Sequence, residues 1–434
     1  MKGAGGTTGA VVAVFAGAAL LLWPAIVNGY PILFSDTHAF LVQAGEPFMI
    51  WDKPWIYGPF LIVTSARLTL WLPAIAQAVL LSHLLWLTAK ACGAGGPARH
   101  LALCAALSVG SAAPWFVSLL MPDIMAPIGV LCLFVLAFPE RLRPIERAWA
   151  GAVGAFAIAA HLSLLIVGAA CIAVGVAWRR RYAMAAPLLA AIALLLLTNA
   201  IGFGRFGVSP FGSVFALARM AADGPAARTL AAECPNVGWH LCAWVGRVPD
   251  DSDAFLWEPQ GPVWSTPGGP IALAPEASAI VARTIAREPL AIAGHAISST
   301  LRQLILVRLG DTLGPDWLEQ TVAISLGKYF PAAELRRFER SRQARDELSA
   351  VAAPLQIPQS ALLIFGAIAT PLSLLLAVRR RDMPRAGLAA LVLLALLANA
   401  FATGALSKPH HRYQARIAWL LLVPPPLHAS RRKS

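Results

Sequence analysis

Three aspartates are the residues of this chain best suited to acid and base chemistry. Asp36 lies in PILFSDTHAF, Asp52 in MIWDKPWIYGPF and Asp123 in the turn that follows Met121-Pro122. Ionisable groups near membrane depth mark function by default. We interpret Asp36 as a general base that takes a proton from an attacking hydroxyl. Asp123 and Asp52 are candidates for a second acid, or for a contact to an acceptor or a metal.

Cationic side chains lie near the other end of the chain, in KPHHRYQARIAWLL. Lys408, Arg412 and Arg416, together with Tyr413, precede the last apolar stretch. Charged N–H donors bind a phosphate and stabilise the charge left on it when it departs. We therefore predict that these four residues bind the phosphate of a donor substrate. The alternative for the two arginines is an interfacial anchor whose stem lies along lipid.

Each acid also has a purely structural interpretation. Ser35 or Asp36 could cap the helix that HAFLVQAG predicts. Asp52 stands beside Lys53 and before a proline, which favours a local ion pair or turn. Asp123 follows a proline and could likewise be only a cap. These alternatives stay open at the level of sequence.

The composition is that of a polytopic membrane protein. Of 434 residues, 58% are hydrophobic and 13% charged, against about 25% charged in an ordinary soluble domain. The net charge of +13 sits in short arginine clusters beside apolar stretches, where it orients helices relative to the bilayer. A nucleic-acid partner is therefore excluded, and membrane lipids are the expected surroundings.

Apolar stretches and basic clusters alternate along the chain. Stretches long enough to cross a bilayer lie near residues 9–28, 69–89, 101–120, 123–138, 183–203, 359–378, 387–406 and 414–429. The positive-inside rule places four clusters in the cytoplasm, namely Arg141, Arg143 and Arg147; Arg179, Arg180 and Arg181; Arg379, Arg380 and Arg381; and Arg431, Arg432 and Lys433.

Residues 148–178 lie between two of these clusters, so they must leave the cytoplasm and return. They number about 31, where two full spans need about 40. We predict two short helices that meet near His161, for which a hydrogen bond to substrate or metal is the functional interpretation and a satisfied polar residue the structural one. The count is then about ten crossings, with both termini cytoplasmic.

This topology divides the chain into three parts. An N-terminal transmembrane module (1–203) contains a first outer loop (29–57), a mostly helical outer segment covers 204–358, and C-terminal transmembrane helices cover 359–434. The candidate acids, His161 and the loop with the cations all face one side, periplasmic or extracellular. A candidate site is expected there.

Two of the six cysteines lie in that outer segment. Cys234 and Cys242, in ECPNVGWHLC, have a spacing that could close a small loop, and an oxidising compartment permits the bond. The rival interpretation is a metal pair with His240, but one histidine and two thiols leave a tetrahedral site incomplete. We predict a disulfide.

An enzyme that faces away from the cytoplasm has no nucleotides to use, and the sequence has no nucleotide-binding glycine motif. Its activated group must come from the membrane, and lipid-linked phosphates are the obvious source. Glycosyl transfer from a polyprenyl phosphate needs one carboxylate base and cationic donors, because the phosphate leaves as a stable anion. Asp36 and the cations near the C-terminus supply both.

The layout resembles the GT-C superfamily of polytopic, polyprenyl-phosphate-sugar-dependent membrane glycosyltransferases. The matching residues are Asp36 in FSDTHAF, Asp123 in MPD and Arg412-Tyr413 in KPHHRYQARIAWLL. The resemblance implies that Asp36 is the catalytic base or a metal-site residue. It also implies a lipid, glycan or protein acceptor and a place in the bacterial inner (plasma) membrane. A divalent cation, Mg²⁺ or Mn²⁺, stays open, because three scattered carboxylates do not define its site.

Other functions remain as alternatives. A lipid or polysaccharide transporter or flippase would place ionisable residues at mid-span and show Gly/Pro-interrupted helices in repeated halves, and no clear repeat is found. A transferase of acyl or phospho groups built around His161, and a non-catalytic subunit of an envelope polysaccharide assembly, also fit a polytopic chain.

Overall fold

Helices form nearly all of the regular structure in the computed structural model, which describes residues 4–179 and 181–429. Within these residues there is no β-strand, and one isolated parallel bridge joins Ile32 to Leu119. The all-α fold class is confirmed. The predicted cluster at 431–433 and Arg180 lie outside the described residues.

Eleven α-helices form the N-terminal part. They are α1 (Ala4–Leu21), α2 (Trp23–Asn28), α3 (Ser35–Gly45), α4 (Tyr57–Ser65), α5 (Trp71–Ala91), α6 (Pro97–Gly110), α7 (Ala113–Ser118), α8 (Met125–Ala137), α9 (Pro144–Ala160), α10 (Ser163–Arg179) and α11 (Ala186–Phe203). The predicted first outer loop is therefore partly helical, because it contains α3.

Seven α-helices lie wholly in the outer segment, and four more come after them. The seven are α12 (Gly212–Ala222), α13 (Pro225–Glu233), α14 (Ser252–Trp257), α15 (Gly269–Arg287), α16 (Pro289–Ile305), α17 (Val322–Tyr329) and α18 (Ala332–Glu339). Then come α19 (Leu348–Arg379), α20 (Met383–Ala400), the π-helical turn Phe401–Ala405, α21 (His411–Ala418) and α22 (Pro424–Ala429). The prediction of a mostly helical outer segment agrees with this order.

Four helices in the described part of the chain are long and apolar enough to cross a membrane: Trp71–Ala91, Tyr182–Phe203, Leu348–Arg379 and Met383–Ala405. Other predicted crossings contain shorter apolar helices, at Thr8–Leu21, Pro122–Ala137 and Ser163–Trp178. Several membrane-length helices are thus present, and the count of ten stays a prediction.

Two apolar stretches of the chain are broken into separate helices. Pro24 has no amide to donate to the carbonyl of Leu20, so α1 ends at Leu21 and a new helix starts at Trp23. Residues 148–178 contain the end of α9 at Ala160 and the beginning of α10 at Ser163, so two helices do meet at His161.

The outer segment contains two kinds of core. Residues between Phe211 and Ile280 form a hydrophobic cluster of their own. Buried residues from Leu313 to Ala352 belong instead to the main cluster, which they share with the N-terminal helices. α19 then runs without a break through positions 358 and 359, so the predicted end of the outer segment lies inside a helix.

Two buried side chains tie this second half of the outer segment to the N-terminal part. The Glu334 carboxylate accepts the hydroxyl of Tyr30 at 2.8 Å and the amide of Leu70 at 3.1 Å. The Gln343 side chain accepts from the amide of Leu33 at 3.0 Å and donates to its carbonyl at 2.7 Å. The segment that leads into α3 is therefore fixed from both sides.

Candidate functional site

The isolated bridge brings the segments that carry Asp36 and Asp123 together. Ile32 donates to the carbonyl of Ser118 at 2.8 Å, and Leu120 donates to that of Ile32 at 2.9 Å. Four residues beyond the bridge, one segment carries Asp36 in the first turn of α3 and the other carries Asp123 in a short 3₁₀ turn. The bridge explains how residues so distant in sequence share one site.

Asp36 does not cap α3. The N-cap residue is Phe34, whose side chain has no capping hydrogen bond, and Asp36 is the second residue of the helix. Thr37 takes the capping role, because its hydroxyl accepts from the amide of Phe34 at 3.0 Å. The capping interpretation of Ser35 or Asp36 is therefore wrong, and the carboxylate needs another role.

The partner of Asp36 is Lys53. Its Nζ lies 3.2 Å from Oδ1 of Asp36 and 2.5 Å from Oδ2 of Asp52, and the Asp36 side chain is 36% exposed against 6% for Asp52. The ion pair predicted between Asp52 and Lys53 is confirmed. The sequence did not predict the second ion pair, between Lys53 and Asp36, which makes Lys53 a member of the site.

The charges around Asp36 decide its protonation. Burial alone would raise the pKa of the Asp36 carboxyl, but the charges of Lys53 and Arg412 hold this pKa below its usual value. Burial alone would lower the pKa of Lys53, and the carboxylates of Asp36 and Asp52 raise it above its usual value. Asp36 is thus ionised at neutral pH, and Lys53 is charged.

The loop with Lys53 is held by contacts on both sides. Gln43 donates to the carbonyl of Lys53 at 3.1 Å. Trp51 stacks on Phe215 of α12 with ring centroids 5.1 Å apart. The ring of Trp257, at the end of α14, lies 5.9 Å from Nζ of Lys53. The outer segment therefore covers the loop and contributes an aromatic ring beside the lysine.

Arg412 carries a buried donor that no described residue accepts from, and Nε of Arg416 is another. The Arg412 guanidinium lies 4.4 Å over the ring of Phe34, and its Nε is 3.7 Å from Oδ1 of Asp123. Its Nη1 is buried and has no hydrogen-bond partner among the described residues. A buried donor without a partner is costly, and Nη1 is the donor of Arg412 that remains for a further acceptor.

Arg416 is fully buried and its Nη atoms are occupied. Nη1 lies 3.5 Å from Oδ1 of Asp123 and 3.2 Å from Nε2 of His161. Nη2 donates to Ser163 at 2.9 Å and to Asn399 at 3.0 Å. Residues 412 and 416 are one helical turn apart on α21 and so share a face, which explains why both meet Asp123.

Tyr413 and Lys408 occupy different surroundings. The Tyr413 ring centroid is 5.2 Å from the guanidinium carbon of Arg412 and 5.5 Å from that of Arg416. Lys408 instead binds Asp251 at 2.6 Å and Asp253 at 2.7 Å, at the start of α14. Phosphate binding by these residues stays a prediction, and the contacts show that Lys408 already has two anionic partners.

The structure thus gathers Asp36, Asp123, His161, Arg412 and Arg416 into one charged cluster, with Asp52 attached through Lys53. The signals for Lys53 were its position beside Asp52 and its charge in an apolar loop. Ser163 and Asn399 carried no signal, because an ordinary polar residue in a helix is seldom informative until its partner is known.

The structure bears on the predicted disulfide and on the question of a divalent-cation site. Cys234 and Cys242 are bonded, with Cα atoms 5.3 Å apart, so the disulfide is present. Among the described residues, no three His, Cys, Asp or Glu side chains lie close enough to hold a metal ion. The ammonium of Lys53 stands between Asp36 and Asp52, and this pair therefore does not fit a divalent cation.

Comparison of the chain with protein-family profiles, with curated proteins and with solved structures finds no match.

Proposed function

We propose that this chain is a membrane glycosyltransferase that transfers a sugar from a polyprenyl-phosphate donor to a lipid, glycan or protein acceptor, on the side of the membrane where the outer segment lies. The observation that carries the proposal is a partly exposed carboxylate, Asp36, that feels the charge of a buried guanidinium, Arg412, one of whose donors has no partner among the described residues. A base and an anion ligand in one cluster are what this reaction needs.

In the proposed reaction the acceptor hydroxyl attacks the anomeric carbon while its proton passes to the Asp36 carboxylate. The bond between the anomeric carbon and the phosphate oxygen breaks, and the electron pair leaves with the polyprenyl phosphate. Lys53 and Arg412 keep Asp36 ionised beforehand, so it is ready to accept the proton.

The departing phosphate gains charge as the sugar leaves. Nη1 of Arg412 is the donor assigned to it, because this atom has no partner within the described chain. Arg416 has a different part: bonded to Asp123, His161, Ser163 and Asn399, it fixes the cluster on which Arg412 rests. Preorganised donors of this kind stabilise developing charge without reorganisation.

The deciding experiment incubates the purified protein, in detergent or vesicles, with radiolabelled polyprenyl-phosphate sugars and an extract of membrane lipids. Release of polyprenyl phosphate with transfer of the label supports the proposal. The Asp36→Asn protein is the control and should release none above background. Movement of the intact donor across the vesicle membrane without turnover would assign the chain to the transporters instead.

A further inference from the structure

The polarity of α16 is the reverse of that of a helix on a water-soluble protein. Its buried residues are polar: Ser299 and Thr300 are 8% exposed and Gln303 is 0% exposed. Its exposed residues are apolar, with Leu290 at 86%, Ile297 at 63%, Leu301 at 60% and Ile305 at 75%. In water the apolar face would be the buried one.

The exposed apolar residues form a single stripe. Intervals of seven, four and four residues separate Leu290, Ile297, Leu301 and Ile305, which places all four side chains on one side of a helix. His295 and Arg302 lie on a separate exposed side, and His295 is 3.8 Å from Asp223. The helix therefore has a protein-facing, a charged and an apolar side.

The protein-facing side is packed closely against a membrane-length helix. A Cβ atom at Gly404 would lie 2.6 Å from the carbonyl oxygen of Ser299 and 2.8 Å from Cβ of Gln303, so only glycine permits this approach. Gly404 belongs to the span candidate Met383–Ala405, on which Leu397 is 51% and Phe401 41% exposed. The helix that exposes the stripe thus packs directly against a span candidate that exposes apolar side chains of its own.

We propose that α16 lies in the membrane interface, with the stripe formed by Leu290, Ile297, Leu301 and Ile305 inserted into lipid and the side with His295 and Arg302 at the headgroups. Close packing against a span candidate identifies the bilayer, rather than water, as the surroundings of the stripe. An amphipathic helix of this kind inserts its apolar face about 5–10 Å into the boundary between headgroups and acyl chains. The inference requires membrane insertion only, and not the transfer reaction.

The same helix holds the start of α21, the helix that carries Arg412. Gln303 donates to the carbonyl of His410 at 2.8 Å and accepts from its amide at 2.9 Å. The amide of Arg308, just past α16, donates to His411 at 3.1 Å. The depth of α16 in the interface therefore sets the height of Arg412 relative to the lipid headgroups.

The test uses a fluorescent NBD label on a single introduced cysteine, Ile297→Cys or Leu301→Cys, in the full chain. The four free cysteines of the described residues are buried, and wild-type protein carried through the same labelling reaction is the blank. Labelled protein is reconstituted into phosphatidylcholine vesicles with or without bromine atoms on the acyl chains. His295→Cys is the matched control, because it lies on the same helix but on the charged side.

Brominated lipid should remove about half of the emission at positions 297 and 301 and little at position 295, since bromine quenches only labels that enter the acyl region. Equal quenching at all three positions would mean that the helix is immersed on every side, which overturns the proposal. No quenching at 297 and 301 would overturn it as well and would assign the stripe to a protein partner.

Discussion

The guanidinium of Arg412 lies 4.4 Å over the ring of Phe34, and Phe34 is the N-cap residue of the helix that carries Asp36. A cation stacked on an aromatic face gains attraction from the ring without using its N–H donors. This arrangement holds Arg412 in place, and its buried Nη1 has no hydrogen-bond partner among the described residues. It also places the candidate anion ligand next to the candidate base, and the predictions below separate their roles.

Asp36→Asn should abolish transfer and leave the fold intact. Asparagine keeps the shape of the side chain but cannot take a proton, so turnover should fall by about 10²–10⁴. The measurement is the initial rate of polyprenyl phosphate release. Asp52→Asn is the matched control, since it removes an equal charge from the same lysine. If Asp52→Asn were inactive and Asp36→Asn active, the base would be Asp52.

Arg412→Ala should weaken use of the donor. Loss of a charge-assisted contact to phosphate costs about 1.5–3 kcal/mol, a factor of about 10–150. Arg412→Lys should restore part of this, because a point charge cannot copy the guanidinium fork. Donor KM and direct binding of polyprenyl phosphate provide the measurement. Arg345→Ala, at a side chain 52% exposed, is the control and should behave as wild type. Unchanged donor binding in Arg412→Ala would make Arg412 an anchor.

Asp123→Asn should reduce stability rather than only activity. Asp123 is 1% exposed, and its Oδ1 lies 3.7 Å from Nε of Arg412 and 3.5 Å from Nη1 of the fully buried Arg416. Removing its charge leaves buried cations poorly compensated, which typically costs about 3–5 kcal/mol. Thermal unfolding in detergent measures the loss. Glu347→Gln, at a side chain 46% exposed, should leave the unfolding temperature nearly unchanged, and an equal result for Asp123→Asn would contradict the assignment.

Acid should open the contact between α14 and the loop before α21. A hydrogen bond from His410, with support from Lys408, lowers the pKa of Asp253 to about 2. A lowered pKa in the folded state contributes stability above the unfolded pKa of about 3.9, and this is lost as the pH falls towards 2. The difference in unfolding temperature between wild type and Asp253→Asn should be fully present at about pH 5. It should shrink at lower pH, and a constant difference throughout would be evidence against the contact.

Two positions of matched exposure test the sidedness of the membrane. Trp317 in the outer segment is 71% exposed, and Tyr182 beside the arginine cluster is 73% exposed. Trp317→Cys should react with an impermeant thiol reagent added to intact cells, and Tyr182→Cys only after the membrane is opened. The reverse result would invert the topology.

Several features of the fold and of the site were predictable because they depend on local chemistry. The apolar stretches predict helices, the charge clusters around 148–178 predict a break at His161, and adjacency predicts the pair Asp52–Lys53. The spacing of Cys234 and Cys242 predicts their disulfide.

Other features depend on contacts between distant parts of the chain. No local pattern shows that Lys408 would bind Asp251 and Asp253, or that Thr37, rather than Asp36, would cap α3. Helix lengths also escaped prediction, since an apolar stretch of spanning length, such as 101–120, divides into α6 and α7 at Ser111 and Ala112. A hydropathy pattern shows which stretches are apolar, but it does not show where a helix ends.

The Glu334 and Gln343 contacts limit how this protein can be cut and recombined. A chimera that replaced all of residues 204–358 would remove Glu334, which accepts from the Tyr30 hydroxyl, and Gln343, which accepts from the Leu33 amide. The N-terminal helices would then lose buried polar partners. The portion from Phe211 to Ile280 has its own apolar centre. That shorter portion is therefore the natural cassette for exchange between related chains, and its borders do not coincide with those of the outer segment.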